Sequence, residues 1–350
     1  MARTVNQQSL IDQLEMAESI NNRFEDIKCV NSPESGEKRG CFSLVFSAND
    51  LVEDKKVAIK AMDPECYTDT YRMIAFDREP EILRKLKNKR RCLKLISGPD
   101  NFDWQITTPS GDSSSLPVKY YVSDWLDIDV DTYFLEQQRH EALLKLRIFR
   151  SAVLAVDAFH SENISHRDIK HDNLRAYQDG EELVIVVIDF GTAAHFDDSL
   201  ATSSSDYPNR TVGAPAFSGP EAFLGLASCR EIGKLTDIYA LGALLYQLFN
   251  HELFARAREN NKDFSPVMTY LDMKLALLNT HEDKIKGWAK EAPPFKDMLE
   301  PPKFDSPSNN APRSVVSILS KICREMTLFN FQDRTQKLLP IVTAVPLTSK

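Results

Sequence analysis

His166-Arg167-Asp168-Ile169-Lys170-His171-Asp172-Asn173 places an aspartate, a lysine and an asparagine at offsets of zero, two and five. A second aspartate, in Asp189-Phe190-Gly191, directly follows the apolar run 183–188, and Pro220-Glu221 comes later. Together these residues supply a base, a cation for phosphate and two oxygen donors for a hard metal ion, which is the equipment of phosphoryl transfer. Taken singly, each has a plain alternative: Asp168 as a helix cap, Lys170 as a surface charge, Asn173 as a turn residue. Order and spacing together favour the chemical reading.

With these strings the chain resembles the eukaryotic-type protein kinase family, in a divergent serine/threonine-like form, from about residue 40 to residue 334. The resemblance implies an α+β, two-lobed fold: a small antiparallel β-sheet lobe with a regulatory helix, and a mainly helical large lobe. It implies boundaries of 1–25 for an N-terminal helical extension, 26–124 for the small lobe, 125–340 for the large lobe and 341–350 for a tail.

Within it, Asp168 is expected as the catalytic base, Lys170 as the γ-phosphate cation, and Asn173 and Asp189 as Mg²⁺ ligands, with Mn²⁺ as a substitute. Lys60 of Val57-Ala58-Ile59-Lys60 would hold the ATP α- and β-phosphates. Its carboxylate partner is Glu79 or Glu81. Phe76, Glu79, Leu83 and Leu86 share one helical face, whereas Glu81 points away with Arg84 and Lys85, which selects Glu79. Pro80 would either start the helix nearby or bend it beside that glutamate.

The nucleotide is further assigned to Gly40, Phe42, Ser43, Val45 and Ala58, with Ser123 at the back of the pocket and Asp124 to Leu126 as the hinge. The phosphate-covering loop keeps Gly40 at its centre but has Lys38 and Ser43 where the family has glycine. Arg175 stands where the family sets an aliphatic adenine floor, with Leu174 or Ala176 as substitutes. Ala214 replaces a threonine that bridges the catalytic aspartate and lysine in serine/threonine kinases. Thr202, Ser203, Ser204, Ser205 and Thr211 are candidate phosphorylation sites, with Arg167 as their cation. Arg334 is expected to pair with Glu221, and Asp237 to begin a buried helix and bind the catalytic loop backbone.

The implied activity is transfer of the ATP γ-phosphate to serine or threonine of protein substrates, with autophosphorylation in the activation segment. A pseudokinase scaffold and a small-molecule phosphotransferase are the alternatives.

The whole chain is consistent with that reading. Its 350 residues, 42% hydrophobic and 27% charged, fit a globular protein. A net charge of −8 argues against a nucleic-acid footprint. Six scattered cysteines and no apolar run of membrane length suggest a cytoplasmic protein.

A helix is expected over residues 9–24, packing on the small lobe or engaging a partner. Strands are expected near 42–47, 56–61, 104–107 and 118–123, with a polar hairpin loop over 108–115. The basic run 84–91 reads as a solvated helix end, or as a dock for an acidic partner. The resemblance thins over 254–312, where a regulatory partner would bind.

Overall fold

The computed structural model describes residues 3–30, 43–107, 111–136, 140–196, 212–250, 252–304 and 312–345. Gly40, Phe42 and the candidate phosphorylation sites at 202–205 and 211 lie outside these residues. The chain divides into two compact units, one of residues 1–88 with 93–126, the other of 89–92 with 127–350.

The first unit is an antiparallel sheet with a helix on each face. Its elements are α1 (Val5–Met16), β1 (Phe24–Cys29), β2 (Ser43–Asp50), β3 (Lys55–Met62), α2 (Thr70–Lys85), β4 (Leu95–Thr107) and β5 (Ser113–Asp124). Strand order is β1-β2-β3-β5-β4. Phe46 pairs with Ile59, and Ile59 with Val122. Directly paired residues share a face, and this face is buried with Leu10, Ile11 and Leu14 of α1. The opposite face carries Val45, Lys60 and Tyr121 in one row and Ser47, Ala58 and Ser123 in the next. Phe76 of α2 packs there on Tyr121, ring centroids 5.5 Å apart.

Two expectations change here. The first helix spans Val5–Met16 rather than 9–24, because Thr4 caps it reciprocally with Gln7 and the chain turns extended at Ala17. Ile20 is buried through a bridge to Phe24, outside the helix. The polar loop expected over 108–115 shrinks, since Ser113, Ser114 and Ser115 pair with Thr107, Ile106 and Gln105. These serines are exposed, so the strand end shows no apolar alternation to read.

In the second unit, β6 (Ile128–Asp129), β8 (Leu174–Asp179) and β9 (Glu182–Val187) form one small sheet. β7 (Ile164–Ser165) and β10 (Ala194–His195) form another. The helices are α3 (Asp131–Leu135), α4 (Ala142–His160), α5 (Pro220–Phe223), α6 (Arg230–Asn250), α7 (Phe254–Glu259), α8 (Phe264–Leu275), α9 (His281–Glu291), α10 (Arg313–Thr327) and α11 (Leu339–Ala344).

α6 forms the centre of this unit, with Ile238, Leu241, Leu244, Leu245 and Leu248 all buried. Gly242 admits α10: a Cβ there would stand 2.6 Å from Thr327 Cγ2 and 2.8 Å from Met326 Cβ. Asp237 lies within α6, seven residues after Arg230, rather than at the helix start. On α10 the buried stripe is Val315, Leu319, Ile322, Cys323 and Met326, while Ile318 faces outward.

The last three residues of the basic run are engaged by neighbouring groups. Lys89 pairs with Glu162 at 2.5 Å, Arg90 pairs with Asp179 and Glu182, and Arg91 with Glu182 and Ser151. Among the described residues, no helix is long and apolar enough to cross a membrane.

Candidate active site

In the first unit, the Lys60 ammonium lies 2.6 Å from Glu79 Oε2, and Glu79 is buried. α2 runs from Thr70 to Lys85 through Pro80, so the helix does not start at Pro80. Phe76, Leu83 and Leu86 share the buried side with Glu79. Beyond Ser123, which pairs with Ala58, the Asp124 N–H donates to the Lys94 carbonyl at 3.1 Å. The Asp124 carboxylate meets Lys55 at 3.2 Å, and Lys56 sits 4.0 Å from the Trp125 ring centroid. Ser43 is buried and Val45 is half-buried on β2, whereas Leu126 closes the unit half-buried.

In the second unit, β7 delivers the chain into the turn carrying Asp168. Asp237 organises this turn from beneath: its Oδ2 accepts from the His166 N–H at 2.8 Å and Ser165 Oγ at 3.0 Å, and its Oδ1 from the Arg167 N–H at 2.6 Å. His160 also meets Asp237 Oδ2 at 2.8 Å. Burial works against this carboxylate's charge, but the hydrogen bond and charge of His160 outweigh it and lower its pKa. Held this way, Arg167 adopts a left-handed φ of 66°.

The His166 ring meets the Ile188 carbonyl through Nε2 at 3.0 Å, and its Nδ1 accepts from the Asp168 N–H at 3.3 Å. Nε2 therefore carries the proton. Phe190, fully buried, meets His166 edge-on at 4.8 Å and Phe159 at 5.5 Å.

Asp168 Oδ1 accepts from the Ala214 N–H at 2.6 Å, and Oδ2 from Asn173 Nδ2 at 3.1 Å. Lys170 Nζ stands 3.5 Å from Oδ2. Burial raises the Asp168 pKa against the opposing charge of Lys170. The carboxylate is thus oriented by two donors and made more basic by its surroundings.

Asn173 Nδ2 also donates to the Asp168 carbonyl at 2.9 Å. Its amide nitrogen is committed, which leaves the amide oxygen as the donor suited to a hard cation. Asp189, half-buried at a left-handed φ of 67°, supplies a second oxygen ligand type. The pair fits Mg²⁺, whose ligands are oxygens.

Glu221 is clamped by Arg334, which donates to both of its carboxylate oxygens at 2.6 and 2.8 Å with both side chains fully buried. The Arg167 guanidinium is buried and donates to the Thr192 carbonyl. Arg175 pairs with Asp129 at 2.5 Å, whereas Leu174 and Ala176 are fully buried on the other side of β8.

Sequence reading missed the Ala214 N–H, because a main-chain donor leaves no side-chain signature. Its available signal was Gly213, at φ 84°, where a Cβ would lie 2.1 Å from the Arg167 carbonyl oxygen. Thr192, whose hydroxyl donates to the His166 carbonyl at 3.0 Å, was also missed.

The family model for the protein kinase domain matches residues 38–309, most of the chain. The chain belongs to the protein kinase family. A serine/threonine-protein kinase PknD of Chlamydia trachomatis serovar D is 32% identical over 271 residues, 72% of this kinase chain and 27% of that protein. A probable serine/threonine-protein kinase PknB of Bifidobacterium longum is 27% identical over 216 residues, 60% of this chain and 28% of the relative. A probable myosin light chain kinase of Dictyostelium discoideum is 26% identical over 244 residues, 66% and 55% of the two chains. This kinase chain therefore spans little more than a quarter of the two bacterial relatives.

Proposed function

We propose that this kinase transfers the γ-phosphoryl group of ATP to serine or threonine hydroxyls of protein substrates. The observation that carries the proposal is Asp168, oriented by the Ala214 N–H and Asn173 with Lys170 alongside. Asp168 orients the acceptor hydroxyl and takes its proton. Lys170 offsets charge at the transferred group, and Lys60, fixed by Glu79, positions the α- and β-phosphates. Asn173 and Asp189 would hold Mg²⁺, which would supply neutralisation of the phosphate charge. Val45, Ala58, Ser123, Asp124 and Leu126 serve the nucleoside end, and Gly40, Phe42 and Ser43 the phosphates.

Autophosphorylation at Thr202, Ser203, Ser204, Ser205 or Thr211 is the expected regulatory event. Transfer of radiolabelled phosphate from ATP by the wild type and by Asp168→Asn, with mapping of the labelled residues, tests the whole reading. Transfer should fall about a thousandfold in the variant. Label confined to a metabolite would favour a small-molecule phosphotransferase, and no transfer by the wild type would favour a scaffold.

A further inference from the structure

Next to the catalytic lysine lies a group of ligand atoms that phosphotransfer does not use. Asp131 is the first residue of α3, and His171 and Asp172 follow Lys170 in the next turn of chain. His171 Nδ1 contacts Asp131 Oδ1, and lies 2.7 Å from Asp172 Oδ1. The three ligand atoms all lie within 4.8 Å of one another. Ligands about 2.1 Å from one tetrahedral ion stand about 3.4 Å apart, so the two carboxylate oxygens draw back from the ring nitrogen by about an ångström to admit it.

The imidazole is already positioned for that role. Phe134 of α3 stacks on it at 5.9 Å and 22°, and Phe217 meets it edge-on at 5.5 Å. His171 is buried, while Asp131 and Asp172 keep side-chain exposures of 15% and 28%, enough to admit a small ion. The carboxylates come from positions forty-one residues apart in sequence, brought to one ring nitrogen by the fold.

We propose that Asp131, His171 and Asp172 form a second divalent-cation site, separate from Asn173 and Asp189, that takes a borderline transition ion, with Zn²⁺ the preferred one. One imidazole nitrogen with two carboxylates is a poor set for Mg²⁺ or Ca²⁺, which favour all-oxygen ligation, and lacks the thiolates that select soft ions. Zn²⁺ accepts this mixed set and outranks Mn²⁺ at nitrogen-containing sites. Three protein ligands leave a coordination position to water or to an acceptor group of a bound molecule. An ion here ties α3 to the turn between Lys170 and Asn173, so occupancy fixes the catalytic loop.

The full chain, with Mg²⁺ in excess to saturate the nucleotide-metal ligands, is titrated with Zn²⁺ against a chromophoric chelator and, separately, with Co²⁺ followed by visible absorption. The wild type should bind one equivalent, with a raised melting temperature and Co²⁺ bands that lack thiolate charge transfer. Asp131→Asn and Asp172→Asn should each weaken binding at least about tenfold, and the double variant should lose the Co²⁺ bands. Asp189→Asn should leave the Zn²⁺ affinity unchanged. Zn²⁺ affinity equal in the wild type and the folded double variant, verified by circular dichroism, would overturn the site. So would the absence of binding at sub-millimolar Zn²⁺, which would leave the three groups as a hydrogen-bonded clamp.

Discussion

The Ala214 N–H donates to Asp168 Oδ1 across 2.6 Å, so a main-chain group orients the carboxylate where the family uses a threonine nearby. The missing hydroxyl therefore does not leave Asp168 without a donor from this segment. Ala214→Thr keeps the N–H, and its activity should stay within a few-fold of the wild type. Ala214→Pro removes the N–H. Loss of a hydrogen bond to a charged group, about 1.5–3 kcal/mol, predicts a fall of about ten- to a hundredfold in kcat for peptide phosphorylation. Equal kcat in the proline variant, with its fold verified by circular dichroism, would show the contact to be idle.

Glu221 and Arg334 are both fully buried and joined by two hydrogen bonds. Removing one partner leaves the other charge without compensation in the interior. Arg334→Leu should cost about 3–5 kcal/mol of stability, read as a lower urea midpoint. Glu221→Leu with Arg334→Leu should lose less than either single change, because no orphan charge remains. A double variant as unstable as the sum of the two single changes would mean that the two side chains are not energetically coupled.

α1 belongs to the first unit's core rather than forming an appendage. Leu10 is fully buried among the sheet side chains, and Trp104 Nε1 donates to Ser9 Oγ at 3.2 Å. Leu10→Ala should cost about 2–5 kcal/mol and Thr4→Ala about 1 kcal/mol, measured by chemical unfolding. Deletion of residues 3–17 should remove the unit's cooperative transition. A deletion that melts like the wild type would show α1 to be dispensable.

What the sequence made readable follows from short-range periodicity. The spacing that separates Glu79 from Glu81 records one face of one helix, and Glu79 lies buried beside Lys60. The β3 alternation of Val57, Ile59 and Ala61 likewise matches one buried sheet face. What stayed hidden depends on partners distant in sequence. The role of the Ala214 N–H appears only when residue 214 meets residue 168 in space. The charges of Lys89, Arg90 and Arg91 looked like one patch until Glu162, Asp179 and Glu182 were brought to them. Ser113 to Ser115 form a strand because Gln105 to Thr107 lie alongside, a pairing that local polarity conceals.

Lys145 of α4 is fully buried, 5.5 Å from the Phe249 ring centroid, and burial pushes its pKa down from 10.5 to about 8. Between these values the unfolded chain holds a proton that the folded chain has released. Stability should therefore rise with pH from about 8 towards 10.5, and below about 8 the full penalty is present. The interval corresponds to about 3 kcal/mol. Lys145→Met keeps the length of the side chain without the charge, so it should raise the urea midpoint near neutral pH and flatten the alkaline rise. Parallel pH dependences in the wild type and Lys145→Met would show that the ammonium reaches solvent and carries no such penalty.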